Sequence, residues 1–344
     1  MADFVRIPVV LMLDPRLTVH DKLVWMVMRL DRLDSAIPED DRYSPTRLGR
    51  RTGLPRSTIY NAKKRLEATG WFTSRNAEGK PEAIVNYDLT KPRNIWVTMP
   101  AELLLSDLEP RDIVTYGVLK DDDYCRRQQE KFTYRSLADY MGRCAKTVRR
   151  AIQALVQGSW MTTSQERKSR KAPYKYDLDT PSNRYCREQI ELTRNRIKRG
   201  NGKGEAIAAA MVKLVLEPSE CLANARPDWL TNPETHEPLE LDLWFPVYKL
   251  GVEFNGPQHY QPTSFATIED VMEQQQRDAL KAEIMQKLGF NLVVLTAADL
   301  SIKAVIQKLQ GLAPLRPNLR WYRSLIQYLN DVGMDYRQKG GCPV

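Results

Sequence analysis

The 344-residue chain has few cysteines, few histidines and no long apolar run. Its five cysteines are an odd number, lie far apart and form no C-x-x-C pair, which argues against a disulfide framework and a structural zinc site. No stretch approaches the roughly 18 apolar residues that a membrane span needs. The first residues lack the basic and apolar segments of a signal peptide. We therefore expect a cytoplasmic protein of the bacterial cytosol or nucleoid, with no membrane partner.

Positive charge is present in excess and is unevenly distributed. The chain holds 52 Lys and Arg against 43 Asp and Glu, a net charge of +9. Residues 163–203 alone contain twelve basic and five acidic side chains, and so carry most of this excess. A concentrated basic segment is typical of proteins that follow a phosphate backbone, although a solvated linker has the same composition.

An internal repeat occupies the first half of the chain. A shift of 89 residues aligns similar residues without a gap over about 45 positions, and a shift of 91 continues the match upstream. The aligned pairs include Leu48 and Leu137, Gly53 and Gly142, Leu66 and Leu155, Trp71 and Trp160, and Tyr87–Leu89 and Tyr176–Leu178. The first 181 residues are therefore interpreted as two copies of one unit.

Each copy follows the order helix, helix, short glycine turn, helix, hairpin, which is typical of a winged helix-turn-helix. The third helices are predicted near Arg56–Thr69 and Lys146–Gln157. We expect DNA contacts from these helices, from the second hairpin and from the basic segment. The residues are Arg56, Ser57, Lys63, Lys64, Lys146, Arg149, Arg150, Arg167, Lys168, Arg170, Lys171, Arg196, Lys198 and Arg199. The tandem resembles that of plasmid replication initiators, which implies docking on adjacent stretches of duplex. Dimerisation or domain packing is the alternative use of such units.

Carboxylates are the main signal of the C-terminal third. Asp242 lies in a strand that alternates polar and apolar residues, and Glu253 lies eleven positions later in its predicted hairpin partner. Across a hairpin the two can hold one divalent cation, and oxygen ligands suit Mg²⁺ or Mn²⁺. Glu205, in the first turn of a preceding helix, could supply a third carboxylate. A solvated sheet edge is the alternative interpretation of such an acidic pair.

The order and spacing of polar residues in this region resemble a PD-(D/E)XK nuclease, and more narrowly the very-short-patch-repair and homing endonuclease branch. The matching segments are Glu240–Asp242, Leu250–Tyr260, Gln276–Lys281 and Gly289–Phe290. The resemblance implies that Asp242 and Glu253 bind metal with support from Glu205. It also implies that His259 and Asp278 belong to the catalytic set, with His259 as a general acid or base.

One position departs from the family pattern. The usual Glu-x-Lys motif reads Glu253-Phe254-Asn255 here, so the strand lysine is missing. Lys281 could reach in from the following helix, or His259 could take over the role. The departure also admits a weakened or inactive enzyme.

Together these features predict a multidomain protein with two α+β winged-helix domains and an α/β restriction-endonuclease-like domain. The expected boundaries are 1–92 and 93–181 for the winged helices, 182–203 for a basic linker, 204–312 for the nuclease domain and 313–344 for a C-terminal helix and tail. The expected activity is Mg²⁺- or Mn²⁺-dependent, sequence-specific cleavage of double-stranded DNA, with a homodimer as one route to cutting both strands. The alternative is a non-catalytic DNA-binding replication initiator or regulator with a degenerate nuclease domain. The biological role is open between restriction, homing, mobile-element transfer and repair, and single-stranded or RNA-containing substrates are not excluded.

Overall fold

The structure is a computed structural model with mixed α and β elements. It describes residues 3–75, 78–79, 81–83, 96–121, 131–165, 172–199, 202–256 and 268–341. The chain divides into two compact units, Met1–Pro181 and Ser182–Val344. No helix in these described ranges is both long and apolar enough to cross a bilayer.

The first unit contains the two copies of the repeat. The first copy comprises β1 (Phe4–Pro8), α1 (Val9–Leu13), α2 (Val19–Arg32), α3 (Pro45–Thr52), α4 (Arg56–Ala68), β2 (Phe72–Thr73) and β3 (Glu82–Ala83). The second comprises β4 (Trp96–Pro100), α5 (Ala101–Leu104), α6 (Pro110–Leu119), β5 (Lys131–Phe132), α7 (Tyr134–Met141), α8 (Ala145–Gln157), β6 (Met161–Ser164) and β7 (Tyr174–Leu178). The third helices predicted near Arg56–Thr69 and Lys146–Gln157 are confirmed to within one residue at either end as α4 and α8. The strand predicted at Tyr87–Leu89 lies outside the described residues.

The turn between the second and third helices of each copy explains the repeated glycine. Gly53 and Gly142 both adopt left-handed backbone angles, with φ of 68° and 60°. Only glycine enters this region without a steric penalty, so each glycine ends one helix and redirects the chain into the next.

Aromatic packing repeats in the same way. Trp25 of α2 meets Trp71 edge-to-face, with ring centroids 5.8 Å apart. The equivalent pair in the second copy, Tyr116 of α6 and Trp160, has the same geometry at 6.3 Å. Buried residues of both copies join one hydrophobic cluster, so the two copies share a core.

The second unit contains a four-stranded sheet covered on both faces. Its elements are α9 (Pro181–Lys198), α10 (Lys203–Val215), β8 (Leu222–Ala225), β9 (Leu241–Phe245), β10 (Leu250–Asn255), α11 (Ile268–Lys287), β11 (Asn291–Thr296), α12 (Ile302–Leu309) and α13 (Arg323–Tyr336). The strand order is β11-β10-β9-β8, and β10 and β11 are parallel while the other pairs are antiparallel. A parallel pair needs a crossover connection, which α11 supplies.

Two apolar clusters fix the layers around this sheet. One joins α10, α12 and α13 to β10 residues such as Val252 and Phe254. The other lies on the α11 side and contains Trp244 and Met285, with Trp229 and Phe290 packed against them. The side chain of Glu253, which lies between Val252 and Phe254 on the strand, therefore points toward α11.

Two segments differ from the sequence prediction. Residues 182–203, expected as a basic linker, are largely the helix α9, because Cys186, Ile190, Thr193 and Ile197 recur every three or four residues and pack inward. The polar segment 219–235, whose prolines and asparagines predict a loop, contains β8, which pairs antiparallel with β9. Local polarity obscured both elements, and tertiary packing stabilises them.

Candidate active site and nucleic-acid interface

Three carboxylates from different elements line one cavity in the second unit. Glu205 comes from the first turn of α10, Asp242 from β9 and Glu253 from β10. The cavity encloses about 200 Å³, and Arg196 and Arg199 of α9 also line it. The structure therefore brings the predicted metal ligands together with two of the predicted DNA-binding cations.

Asp242 is positioned by the end of a strand pairing. The β9–β10 ladder runs from Leu250–Phe245 to Val252–Leu243. One step further, Oδ2 of Asp242 accepts a hydrogen bond from the backbone N–H of Phe254 at 2.7 Å. A carboxylate with a fixed backbone donor has a defined orientation, which a metal ligand needs.

Lys281 of α11 lies beside Glu253. Its Nζ is 2.8 Å from Oε2 of Glu253 and 3.3 Å from Oδ1 of Asp278, and it donates a hydrogen bond to the carbonyl of Glu240 at 3.3 Å. Glu253 and Lys281 are each only 6% exposed. An ammonium from the helix α11 thus lies against the buried carboxylate of the strand β10.

Asn255, two residues after Glu253 on β10, holds Asp278. Its Nδ2 donates to Oδ2 of Asp278 at 3.4 Å, and Gln274 donates to Oδ1 of the same carboxylate at 2.9 Å. Sequence reasoning missed both amides. Asn255 follows Glu253 by two residues on one strand face, and Gln274 precedes Asp278 by four on one helix, so periodicity could have found them.

Burial dominates the electrostatics of the carboxylates. It raises the pKa of Glu253 to about 7, although the charge of Lys281 opposes the shift. Burial, followed by the charge of Asp242, also raises the pKa of Glu205. Burial alone would lower the pKa of Lys281, but Glu253 and Asp278 outweigh it and raise that pKa above its usual value. Lys281 is consequently held as a cation at neutral pH.

The donor set matches a hard divalent cation in chemistry. Within the described chain, Oε1 of Glu253 and Oδ1 of Asn255 are buried and have no hydrogen-bond partner. A buried oxygen without a partner destabilises the fold unless a ligand or a water molecule binds to it. Over the same described ranges, no three or more Asp, Glu, His or Cys side chains already stand in a metal-binding cluster. The carboxylates line one cavity without converging on a single point.

The remaining predicted residues of this unit divide into two groups. Arg196, Lys198 and Arg199 are exposed at the C-terminal end of α9. His259 lies outside the described residues, as do Arg167, Lys168, Arg170 and Lys171 of the second hairpin in the first unit.

Helix α4 presents part of its predicted set to solvent. Arg56, Ser57 and Lys64 are exposed, and Nζ of Lys64 lies 4.8 Å from the ring centroid of Tyr60. Lys63 differs from the prediction, because its Nζ donates to the carbonyl of Tyr43 at 3.1 Å. Lys63 has turned toward its own fold and is half-buried, since its position belongs to the packed side of the helix.

Helix α8 presents all three of its predicted cations. Lys146, Arg149 and Arg150 are exposed. The guanidinium of Arg149 lies 5.1 Å from the ring centroid of Tyr134, a cation–π contact that restricts its rotamers.

Comparisons with known proteins give short viral matches. The chain is 43% identical over 81 residues to "Uncharacterized protein 033L" of Invertebrate iridescent virus 3, covering 23% of this chain and 40% of that protein. It is 41% identical over 76 residues to "Uncharacterized protein 307L" of Invertebrate iridescent virus 6, covering 20% and 39%. It is 32% identical over 82 residues to "Uncharacterized protein 094L" of Frog virus 3 (isolate Goorha), covering 23% and 53%.

The chain thus spans about half or less of the length of these relatives. No family model and no solved structure matches it. Function must therefore be argued from the geometry of the site.

Proposed function

We propose that the protein is a metal-dependent DNA endonuclease in which tandem winged helices direct a PD-(D/E)XK-type nuclease domain. The observation that carries the proposal is the cavity that Glu205, Asp242 and Glu253 line, with Lys281 against Glu253. Acids that bind a cation, beside cations that bind a phosphate, form the set that phosphodiester hydrolysis requires.

Asp242 and Glu253, with Glu205 behind them, would hold Mg²⁺ or Mn²⁺. Such an ion, when bound, lowers the pKa of a coordinated water and neutralises charge on the phosphate. Arg196 and Arg199, on the same cavity, would bind the phosphate oxygens of the strand being cut. Lys281 would act as a fixed cation rather than as a base, because its raised pKa keeps its proton in place.

The first unit would supply the sequence preference. The exposed side chains of α4 and α8 have the size and hydrogen-bonding groups that read base edges in a major groove. Basic side chains that contact the phosphates would position the duplex without specifying its sequence. The cavity would cut one strand at a time, so a double-strand break would need a homodimer or two successive events.

A non-catalytic DNA-binding protein is the second candidate. It is favoured by the Asn at position 255 and by the ion pair that already satisfies Oε2 of Glu253. In that case the second unit would be a degenerate nuclease domain retained as a scaffold of a replication initiator or regulator.

Cleavage of supercoiled plasmid with Mg²⁺ or Mn²⁺ separates the two candidates. We expect nicked or linear product from the parent chain, and loss of at least a hundredfold in rate in Glu253→Gln and Asp242→Asn. Glu273→Gln, an exposed acid on α11, is the matched control and should cut normally. If parent and Glu253→Gln are equally inactive and equally good at binding duplex, the non-catalytic candidate replaces the nuclease.

A further inference from the structure

The two copies in the first unit are related by an approximate two-fold axis. Strands β1 and β4 pair antiparallel, and Arg6 faces Thr98 at the centre of the ladder. These residues are equivalent, since β4 follows β1 by 92 positions. Phe4 pairs with Pro100, and Pro8 pairs with Trp96. Phe4 is equivalent to Trp96 and Pro8 to Pro100, so exchanging the copies turns one pair into the other. An axis through the Arg6–Thr98 pair therefore exchanges the copies.

The helices repeat this reciprocity. Helix α1 of the first copy packs against α6 of the second, and α5 of the second packs against α2 of the first. The equivalent helices α2 and α6 also pack on each other. Contacts that recur with their partners exchanged are the mark of an isologous, two-fold interface. Direct-repeat or head-to-tail packing would give one of the two contacts without the other.

The third helices of the copies share a buried face. At equivalent positions 89 residues apart, the buried pairs are Ile59 and Val148, Ala62 and Ala151, and Leu66 and Leu155. Like residues face the core in both copies, so α4 and α8 are held in the same way by their own three-helix units.

Their exposed faces, in contrast, differ at every position. Over the first nine residues of α4, the exposed side chains are Arg56, Ser57, Tyr60, Asn61 and Lys64. The equivalent residues of α8 are Ala145, Lys146, Arg149, Arg150 and Gln153. A two-fold scaffold thus presents two chemically different surfaces, and no pair of exposed side chains would make the same contact.

We propose that the partner of this unit is a DNA duplex with two half-sites in inverted orientation but of unlike sequence, one for α4 and one for α8. The inference rests on the proposed DNA binding. The two-fold relation of the scaffold gives the orientation, and the unlike exposed faces give the difference in sequence. Paired arginines suit the O6 and N7 acceptors of guanine, so the α8 half-site contains guanine at the positions that Arg149 and Arg150 reach. Asn61 suits adenine in the α4 half-site.

The test is selection of the full-length chain on a random duplex pool in EDTA, so that binding is read without cleavage. The expected result is a consensus with two half-sites of unlike sequence. The two half-sites are bound in inverted orientation relative to each other. Arg149→Ala should weaken binding about 10- to 100-fold and relax preference in the α8 half-site alone.

Transplanting one face onto the other helix tests the orientation directly. The substitutions in α8 are Ala145→Arg, Lys146→Ser, Arg149→Tyr, Arg150→Asn and Gln153→Lys. All five positions are exposed, so the core is left intact. The transplanted chain should select a palindrome made of two α4 half-sites.

Selection of a direct repeat, or of a single half-site, by the transplanted chain would overturn the inference while leaving DNA binding in place. A folded parent chain, with its helical circular dichroism intact, that retains no duplex from the pool would instead contradict the proposed function.

Discussion

Nζ of Lys281 lies 2.8 Å from Oε2 of Glu253, joining the long helix α11 to the central strand β10. Both side chains are buried, and Lys281 directs its remaining protons to Asp278 and the carbonyl of Glu240. The strand position where a Glu-x-Lys motif has lysine is Asn255, which holds Asp278 in turn. Glu253, Lys281, Asp278 and Asn255 therefore form one connected network.

Lys281→Met tests this network. We expect cleavage to be lost and the folded state to be destabilised by about 3 kcal/mol, because Glu253 is left buried without its cation and has to bind a proton in the folded state. Cleavage rates are compared well below the unfolding midpoint, so that loss of activity is separated from loss of fold. Lys287→Met is the matched control, because Lys287 is exposed on the same helix and pairs with Glu283. Equal rates in the two variants would remove Lys281 from the active site.

Metal affinity should depend on pH through Glu253. Burial raises the pKa of this carboxyl from 4.5 to about 7. Below that pH a proton must leave before a cation binds, so Mn²⁺ affinity should rise up to about tenfold per pH unit and level off above pH 7. Titration calorimetry at pH 5.5, 6.5 and 8 measures the trend. A flat profile would mean that Glu253 is not a ligand.

Gly333→Ala should destabilise the second unit. An added methyl at this position of α13 would overlap the backbone carbonyl of Leu300 and approach Met211 of α10. A backbone atom cannot move aside as a side chain can, so we expect a loss of about 1–3 kcal/mol in the free energy of unfolding. Asp331→Ala, exposed on the same helix, should leave the urea midpoint almost unchanged. Coincident midpoints for both variants would contradict the close packing.

Because of Lys22, the free energy of unfolding of the first unit should change with pH in the alkaline range. Burial lowers its pKa to about 8 from 10.5, and its Nζ donates to the carbonyl of Met12 at 2.7 Å. Between pH 8 and 10.5 the unfolded chain binds a proton that the folded chain does not. Stability should therefore rise across this window by on the order of 2–3 kcal/mol, and the charged lysine should be unfavourable below pH 8.

Lys22→Met isolates this contribution. The variant should be more stable than the parent at pH 7, and the rise between pH 8 and 10 should disappear from urea titrations. Lys64→Met, exposed on α4, is the control and should keep the rise. A rise that persists in Lys22→Met would assign it to another group.

Strong periodicity and glycine turns made much of the fold predictable. The helices around Gly53 and Gly142 follow from apolar spacing and from the left-handed turn that only glycine enters easily. In contrast, α9 was not predicted, because its many cations are typical of a solvated linker. Its four inward-facing residues stabilise a helix only by packing against the core of the second unit. The β1–β4 ladder was also missed, since pairing between strands 92 residues apart has no local signal.

The candidate site was predictable in its acids and less so in their partners. Asp242 and Glu253 stood out as polar residues inside apolar strands, and the structure places them on one cavity with Glu205. The choice of Lys281 as the neighbour of Glu253 depends on how α11 crosses the sheet, which spacing alone does not fix. Lys63 was predicted to be exposed because it is charged. In the structure its Nζ contacts the backbone carbonyl of Tyr43 and the ring of Phe72, and these contacts hold it inward.

Cleavage of a randomised duplex pool with Mg²⁺ or Mn²⁺, followed by sequencing of the cut ends, tests the central claim most directly. The account predicts metal-dependent cuts in duplexes that share a two-part recognition sequence, all of them absent with Glu253→Gln and unaffected by Glu273→Gln. Intact duplex after incubation with folded, DNA-binding parent chain would contradict it, as would cuts that persist unchanged in Glu253→Gln.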